Sequence, residues 1–123
     1  MEDLVLAATK STPEVRFTVS GELLVQGESY PENAFSFFQP LFTWLKEFTR
    51  ESDKKVVLRI KLAYFNTSSS KCLLDLMEIL NELHEQRKSD EIHWIYEKSD
   101  EDMKESGEEF MEDLKLPFKL IEA

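Results

Sequence analysis

Cysteine and glycine are scarce in this sequence, and their scarcity excludes several kinds of site. The chain of 123 residues contains one cysteine and three glycines. The single cysteine, Cys72, cannot form an internal disulfide, and its place on the apolar side of a predicted helix favours a buried, inert thiol over a nucleophile. Three glycines do not provide the glycine-rich loop that cradles phosphates in nucleotide-binding proteins.

Positive charge is scarce as well. The chain has 15 Lys and Arg against 25 Asp and Glu, a net charge of −10. Because nucleic acids and anionic membranes are bound through Lys and Arg, this balance argues against both as partners. No apolar run approaches the length that crosses a bilayer, and the amino terminus lacks the pattern of a leader. We therefore expect one cytoplasmic domain over residues 1–123, long enough to bury a single core.

Catalytic and metal-binding patterns are also missing. A nucleophile and its base must lie within hydrogen-bond reach. Ser70 and His84 are 14 residues apart on or beside one predicted helix, which corresponds to roughly 21 Å along its axis. His93 lies on a separate predicted strand, and Cys72, His84 and His93 lack the spacing of metal ligands. We expect a protein that is not an enzyme and that uses no metal or cofactor.

Strands and helices alternate along the chain after an initial β-hairpin. Apolar and polar side chains alternate over residues 14–19 and 22–26, on either side of Ser20-Gly21, which predicts the hairpin. Further strands are predicted at residues 56–65, 92–96 and 118–121, and residues 4–8 form either a short edge strand or a docked tail. A helix is predicted before each of these three strands, the last over residues 100–114. This order predicts an α/β fold with a mixed, mostly parallel sheet and about three helices packed on it.

The start of the first helix is ambiguous. Ser29 and Glu32 have capping-box spacing, whereas Pro31 favours the first helical turn. Pro40 should then kink or split the helix near Ser36. Right-handed crossovers would place residues 29–33, the start of the second helix and Ser99-Asp100 along one rim of the sheet.

The residues Asn66-Thr67-Ser68-Ser69-Ser70-Lys71, which we call the hydroxyl run, lie where a predicted strand ends and the second helix begins. Side chains of this type cap helix starts by accepting from free N–H groups. Residues 67–72 contain no carboxylate and Lys71 adds positive charge, so this helix start is suited to an anion. A phosphate could arrive in a ligand or be attached to a hydroxyl, and simple capping is the third possibility.

These motifs resemble a known family. The arrangement is similar to the STAS, or anti-anti-sigma-factor, fold, whose usual Asp-Ser-Ser-Gly is replaced here by Asn66-Thr67-Ser68-Ser69. The chain resembles more closely the SiaC-type regulatory phosphoproteins, which are bacterial STAS-like proteins of about this length. The matching blocks cover nearly the whole chain and are Ser11-Thr12-Pro13, Gly27-Glu28-Ser29-Tyr30-Pro31-Glu32-Asn33, Tyr64-Phe65-Asn66-Thr67-Ser68-Ser69 and Leu116-Pro117-Phe118.

The resemblance implies a regulatory switch. Thr67 would be phosphorylated by a dedicated Ser/Thr protein kinase and dephosphorylated by a PPM-type phosphatase, and Ser68 is the second choice because the ordinary STAS pattern favours the second hydroxyl. The unmodified form would bind a diguanylate cyclase and promote synthesis of cyclic di-GMP. The residues expected to contact partners are Tyr30, Pro31, Glu32, Asn33, Asn66, Ser68, Ser69 and Lys71.

Two other functions remain open at this stage. The chain could be an anti-anti-sigma factor that sequesters an anti-sigma kinase. It could also be a passive nucleotide- or anion-binding module that uses the same helix start.

Overall fold

One sheet of six strands organises the fold. The computed structural model describes residues 1–87 and 89–123, in which the strands lie in the order β1-β2-β3-β4-β5-β6. The elements are β1 Leu4–Leu6, β2 Glu14–Phe17, β3 Glu22–Ser29, α1 Ala34–Glu51, β4 Val57–Phe65, α2 Thr67–Arg87, β5 Glu91–Tyr96, α3 Glu101–Glu112 and β6 Phe118–Glu122. No helix in this described part of the chain is both long and apolar enough to cross a membrane.

The sheet is mixed, with its antiparallel part at the amino-terminal edge. Strands β1, β2 and β3 pair antiparallel, and β3 to β6 pair parallel, each parallel pair being joined by one helix. This confirms the predicted α/β fold with an N-terminal hairpin and three helices. Leu4–Leu6 pairs with β2, so the edge strand is the correct alternative for this segment.

In the described part of the chain, the three helices cover one face of the sheet. Phe17 packs against Trp44 of α1, with ring centroids 5.5 Å apart, and Trp94 donates from Nε1 to the Met103 carbonyl of α3 at 2.9 Å. The strand register places Phe17 and Trp94 on the same face, so the core lies between this face and the helices. Its largest fully buried side chains are Trp94, Phe17, Phe38, Leu23, Leu41, Leu45, Leu58, Ile60, Leu73, Leu76, Met77 and Leu80.

Charged side chains form ion pairs on the uncovered face, within a strand and between neighbouring segments. Glu91 is the centre of one group, with His93 Nε2 at 2.8 Å, Lys55 Nζ at 3.7 Å and Lys119 Nζ at 3.8 Å from its carboxylate oxygens. The hydrogen bond with His93 lowers the pKa of Glu91 below its ordinary value, and the two lysines act in the same direction. A sheet with one solvated face is expected to carry such polar pairs.

A β-bulge interrupts the pairing of β3 with β4 near their carboxyl ends. Gly27 pairs with Leu62 but Glu28 pairs with Tyr64, so Ala63 is an extra residue on β4. An offset of one residue reverses the direction of every side chain beyond it. Phe65 therefore turns into the core, where its ring lies 6.0 Å from that of Trp94, and Tyr64 turns outward and is 50% exposed.

The start of α1 differs from the prediction. Asn33 is the N-cap residue, because its side chain accepts from the Ser36 amide at 3.0 Å, and Ser29 is instead the last residue of β3. Both predicted helix starts were therefore wrong: Ser29 and Glu32 form no capping box, and Pro31 precedes the helix instead of lying in its first turn. The predicted split is also absent, since α1 continues through Pro40 to Glu51. Ser36 and Pro40 are both exposed, so water can reach the Ser36 carbonyl that Pro40 leaves without an amide partner.

The close approach of α3 to the sheet depends on Gly107. This residue is buried against Trp94, and a Cβ placed on it would lie 2.5 Å from Trp94 Cδ1 and 2.7 Å from Leu120 Cδ2. Helical Gly→Ala changes normally stabilise by about 1 kcal/mol. We expect Gly107→Ala to lower the free energy of unfolding by about 1–3 kcal/mol, because the indole must move.

Urea denaturation measures this change. Glu108→Ala, at an exposed position of the same helix, is the control and should stay within about 0.5 kcal/mol of the wild type. An unchanged or increased stability of Gly107→Ala would contradict the packing described.

The Glu91 group predicts a dependence of stability on pH. Because folding lowers the pKa of Glu91, its contribution is present above about pH 4.5 and is lost as the pH falls through the folded-state pKa. At neutral pH, Glu91→Gln should lower the free energy of unfolding by up to about 1 kcal/mol, the range of exposed ion pairs. Denaturation at a series of pH values should show this difference vanishing in acid, whereas Glu97→Gln, with one exposed lysine partner, should show a smaller difference. A Glu91 difference that persists in acid would contradict the assignment.

Candidate functional site

The hydroxyl run forms the first turn of α2, directly after β4. Thr67 is the first residue of α2, and Asn66 precedes it. Asn66 Oδ1 accepts from the Ser69 amide at 2.8 Å, and the Asn66 carbonyl accepts from the Ser70 amide at 2.9 Å. Asn66 therefore caps the helix, so Thr67 and Ser68 are not needed for that role.

Buried hydroxyls join this turn to the end of β3. Ser69 Oγ lies 2.8 Å from Ser29 Oγ, and both side chains are fully buried. The Asn66 amide also donates to the Ser29 carbonyl at 3.0 Å. The burial of Ser69 disagrees with our prediction that it contacts a partner: its hydroxyl is used inside the protein, where it fixes the start of α2 against the sheet.

Thr67, Ser68 and Lys71 are exposed. The amides of Thr67 and Ser68 have no hydrogen-bond partner among residues 1–87 and 89–123, and the first turn of α2 contains no acidic residue. An oxygen anion on or near Thr67 would therefore find unpaired N–H donors at the positive end of the helix dipole. The Thr67 side chain is exposed to solvent, and Thr67 begins the second helix, as the sequence predicted.

The same turn faces an acidic helix across a cleft. The cleft has a volume of about 400 Å³. Its lining residues are Phe65, Asn66, Thr67, Ser70, Leu74, Ser106, Glu109, Phe110 and Asp113. Glu109 lies in α3 and Asp113 is its C-cap residue. The predicted site for an anion at the start of α2 therefore has two carboxylates on the opposite side of the cleft. A freely diffusing anion would meet two carboxylates there, whereas a covalently attached phosphate needs no binding affinity.

The other predicted rim segments lie beside this turn. Ser29 pairs with Phe65, which brings residues 30–33 to the carboxyl end of β4. The Tyr30 ring contacts that of Tyr64 edge to face, with centroids 5.9 Å apart, and the Tyr30 amide donates to the Ser11 carbonyl at 2.7 Å. Pro31 is half-buried, and Glu32 and Asn33 are exposed.

The third predicted segment of the rim is the start of α3. Asp100 caps α3 by accepting from the Met103 amide at 3.0 Å. With Asp102 and Ser106 it lines a second cleft that also includes Tyr64. The three loops predicted to share one rim therefore do so.

Sequence reasoning missed four residues of this region. Glu109 and Asp113 are four residues apart on α3, and this spacing could have placed both on one helix face. Tyr64 and Phe35 are 50% and 59% exposed. The outward direction of Tyr64 follows from the bulge at Ala63, which has no clear signal in the sequence.

The titratable residues considered for catalysis have structural roles. Burial raises the pKa of the Cys72 thiol, and the charge of Asp75 raises it further. His84 Nδ1 accepts from the Asp90 amide at 3.2 Å, and His93 contacts Glu91. Within residues 1–87 and 89–123, no three His, Cys, Asp or Glu side chains are grouped so that they could hold a metal ion.

Comparisons with known proteins agree with this geometry. The family model described as SiaC family regulatory phosphoprotein matches residues 6–123. A protein of Pseudomonas aeruginosa strain UCBPP-PA14 is 35% identical over 121 residues, which cover 98% of this chain and 96% of that protein.

Solved structures of SiaC are similar to this chain in both fold and sequence. Apo-SiaC from Pseudomonas aeruginosa is similar with a TM-score of 0.92 and 34% identity, over 98% of this chain and 99% of that one. SiaC in the crystal structure of the diguanylate cyclase SiaD with its activator SiaC, also from Pseudomonas aeruginosa, has a TM-score of 0.94 and 34% identity, over 98% of this chain and all (100%) of the matched chain. The chain belongs to the SiaC family of regulatory phosphoproteins.

Proposed function

We propose that this protein is a non-enzymatic switch of the cytoplasm that controls a diguanylate cyclase. The unmodified form binds the cyclase and activates it, which raises synthesis of cyclic di-GMP. A Ser/Thr protein kinase phosphorylates Thr67 and thereby ends the interaction, and a PPM-type phosphatase restores it. Family membership supports the role of a regulatory phosphoprotein, and the complex of the relative SiaC with the cyclase SiaD supports the choice of partner.

The placement of Thr67 carries the proposal. Its side chain is exposed, and the capping role of the helix start is filled by Asn66. Ser69 and Ser29 are sealed inside the protein, so neither is open to a kinase. Ser68 is exposed as well and remains the second choice.

The fold can tolerate a phosphate at this position. Phosphorylation adds about −1.5 to −2 charges at neutral pH. The unpaired amides of Thr67 and Ser68 and the ammonium of Lys71, one helical turn further on, favour that charge. Glu109 and Asp113 repel it from the α3 side of the cleft, so the phosphate should turn toward solvent and the partner surface.

Binding of a partner over Thr67 would tolerate a phosphate less well than the fold does. A phosphate buried against apolar or acidic groups of a partner loses its hydration, which costs several kcal/mol when no cation compensates it. We propose that the exposed and half-exposed residues of the rim form the partner surface; they are Tyr30, Pro31, Glu32, Asn33, Asn66, Ser68 and Lys71. Modification would therefore block binding with little change in the fold.

The phosphosite can be tested by intact mass. After co-expression with its kinase, the wild type should gain the mass of one phosphoryl group and Thr67→Ala should gain none. Ser68→Ala is the matched control, one residue away and equally exposed, and should still be modified. If Thr67→Ala is modified and Ser68→Ala is not, the phosphosite is Ser68 and the assignment of Thr67 is wrong.

The switch itself can be tested by titration calorimetry with the purified cyclase. The unmodified protein should bind, and the phosphorylated form should bind at least about 30-fold more weakly, because an uncompensated buried charge costs about 2 kcal/mol or more. Thr67→Glu carries less charge and should show a smaller loss, and Thr67→Ala should bind equally well with or without kinase treatment. Equal affinities of the phosphorylated and unmodified wild type would contradict the switch.

A further inference from the structure

The bulge at Ala63 decides which of two neighbouring aromatic rings, Tyr64 or Phe65, points into the core. Without it, Tyr64 would continue the alternation of Leu58, Ile60 and Leu62 and point into the core. The bulge instead sends the Tyr64 ring toward water, leaves it half exposed and interrupts the ladder of hydrogen bonds between two central strands. Departures of this kind from local regularity are concentrated at functional sites.

The outward ring of Tyr64 is held in place. Tyr30 packs against it edge to face with centroids 5.9 Å apart, and Tyr30 is itself tied to the Ser11 loop through its amide. A pre-positioned aromatic ring loses little conformational entropy when it is buried by a partner. Tyrosine is among the residues enriched at the energetic centres of protein interfaces.

Acidic residues border this aromatic pair. Glu28 lies opposite Tyr64 in the strand register and is exposed, and Glu32 follows Tyr30 by two residues and is also exposed. Asp102 lines the same cleft as Tyr64. The surface thus has an apolar centre with a negatively charged border, and it complements an apolar pocket edged by Lys or Arg.

The pair also lies next to the proposed switch. Tyr64 precedes Thr67 by three residues, across the junction of β4 and α2. The clefts lined by Tyr64 and by Thr67 share Phe65 and Ser106, so a partner that covers the ring lies close to the position of the phosphate. Two of the other large exposed apolar side chains, Val5 and Val19, lie in β1 and in the β2–β3 turn, away from this rim.

We propose that Tyr64, supported by Tyr30, is the apolar anchor through which this protein binds its cyclase. The cyclase presents an apolar pocket with basic side chains opposite the acidic border and with no cation opposite Thr67. The proposal rests on the proposed function and adds the residue that carries the binding energy. Phosphorylation at Thr67 then acts at the border of the anchor, where the added charge must be desolvated if the ring is to enter its pocket.

Binding of the unmodified protein to the purified cyclase, measured by titration calorimetry, tests the anchor. Tyr64→Ala and Tyr64→Gln should each weaken binding at least about 30-fold, as expected for a central interface aromatic. Tyr64→Phe retains the ring and should stay within about threefold of the wild type. Val19→Ala, at the opposite rim, is the control and should leave the affinity unchanged.

The outcomes separate the two proposals. If the wild type does not bind the cyclase, the proposed function fails and the anchor fails with it. If the wild type binds and either ring-deleting variant, folded by its melting curve, binds as tightly, the proposed function stands and the anchor is wrong. Two ring-deleting variants are used because Tyr64→Gln keeps a side chain of moderate size at a half-exposed position, so that a folded variant without the ring is obtained.

Discussion

The geometry of the candidate site depends on a hydrogen bond between two buried serines. Ser29 ends β3 and Ser69 lies in the first turn of α2, and their hydroxyls meet in the interior. Either hydroxyl left alone would be a buried polar group without a partner, at a cost of about 1–3 kcal/mol. The pair therefore holds the first turn of α2, which begins with Thr67, against the sheet.

Side-chain periodicity was sufficient to predict the architecture. The hairpin, the later strands and the three helices follow from apolar spacing, and the resemblance carried by the hydroxyl run and by residues 29–33 led to the correct family. What could not be predicted depends on contacts between distant residues. Several side chains near the starts of α1 and α2 could act as caps, and the sequence does not show which of them does so. The need for glycine at position 107 becomes clear only from the Trp94 ring packed against it.

Electrostatics separates two interpretations of the helix start that the sequence left open. The unpaired amides and Lys71 favour an anion, whereas Glu109 and Asp113 across the cleft disfavour one. A site with these opposing charges suits a phosphate that is attached covalently. Such a phosphate stays in place without binding affinity, so the repulsion by the two carboxylates does not release it. A small anion in solution would gain little from the same site, which disfavours the passive binding module.

The packing of α3 against Trp94 should be visible in the intrinsic fluorescence of the protein. The chain has two tryptophans, and the Trp94 indole donates to the α3 backbone while Trp44 donates to the Glu2 carbonyl near the amino terminus. The fluorescence of Trp94 therefore reports on the contact of the sheet with α3, and that of Trp44 reports on the contact of α1 with the amino terminus. With Trp44 replaced by Phe, the emission would report on the helix that borders the Thr67 cleft, without any added dye.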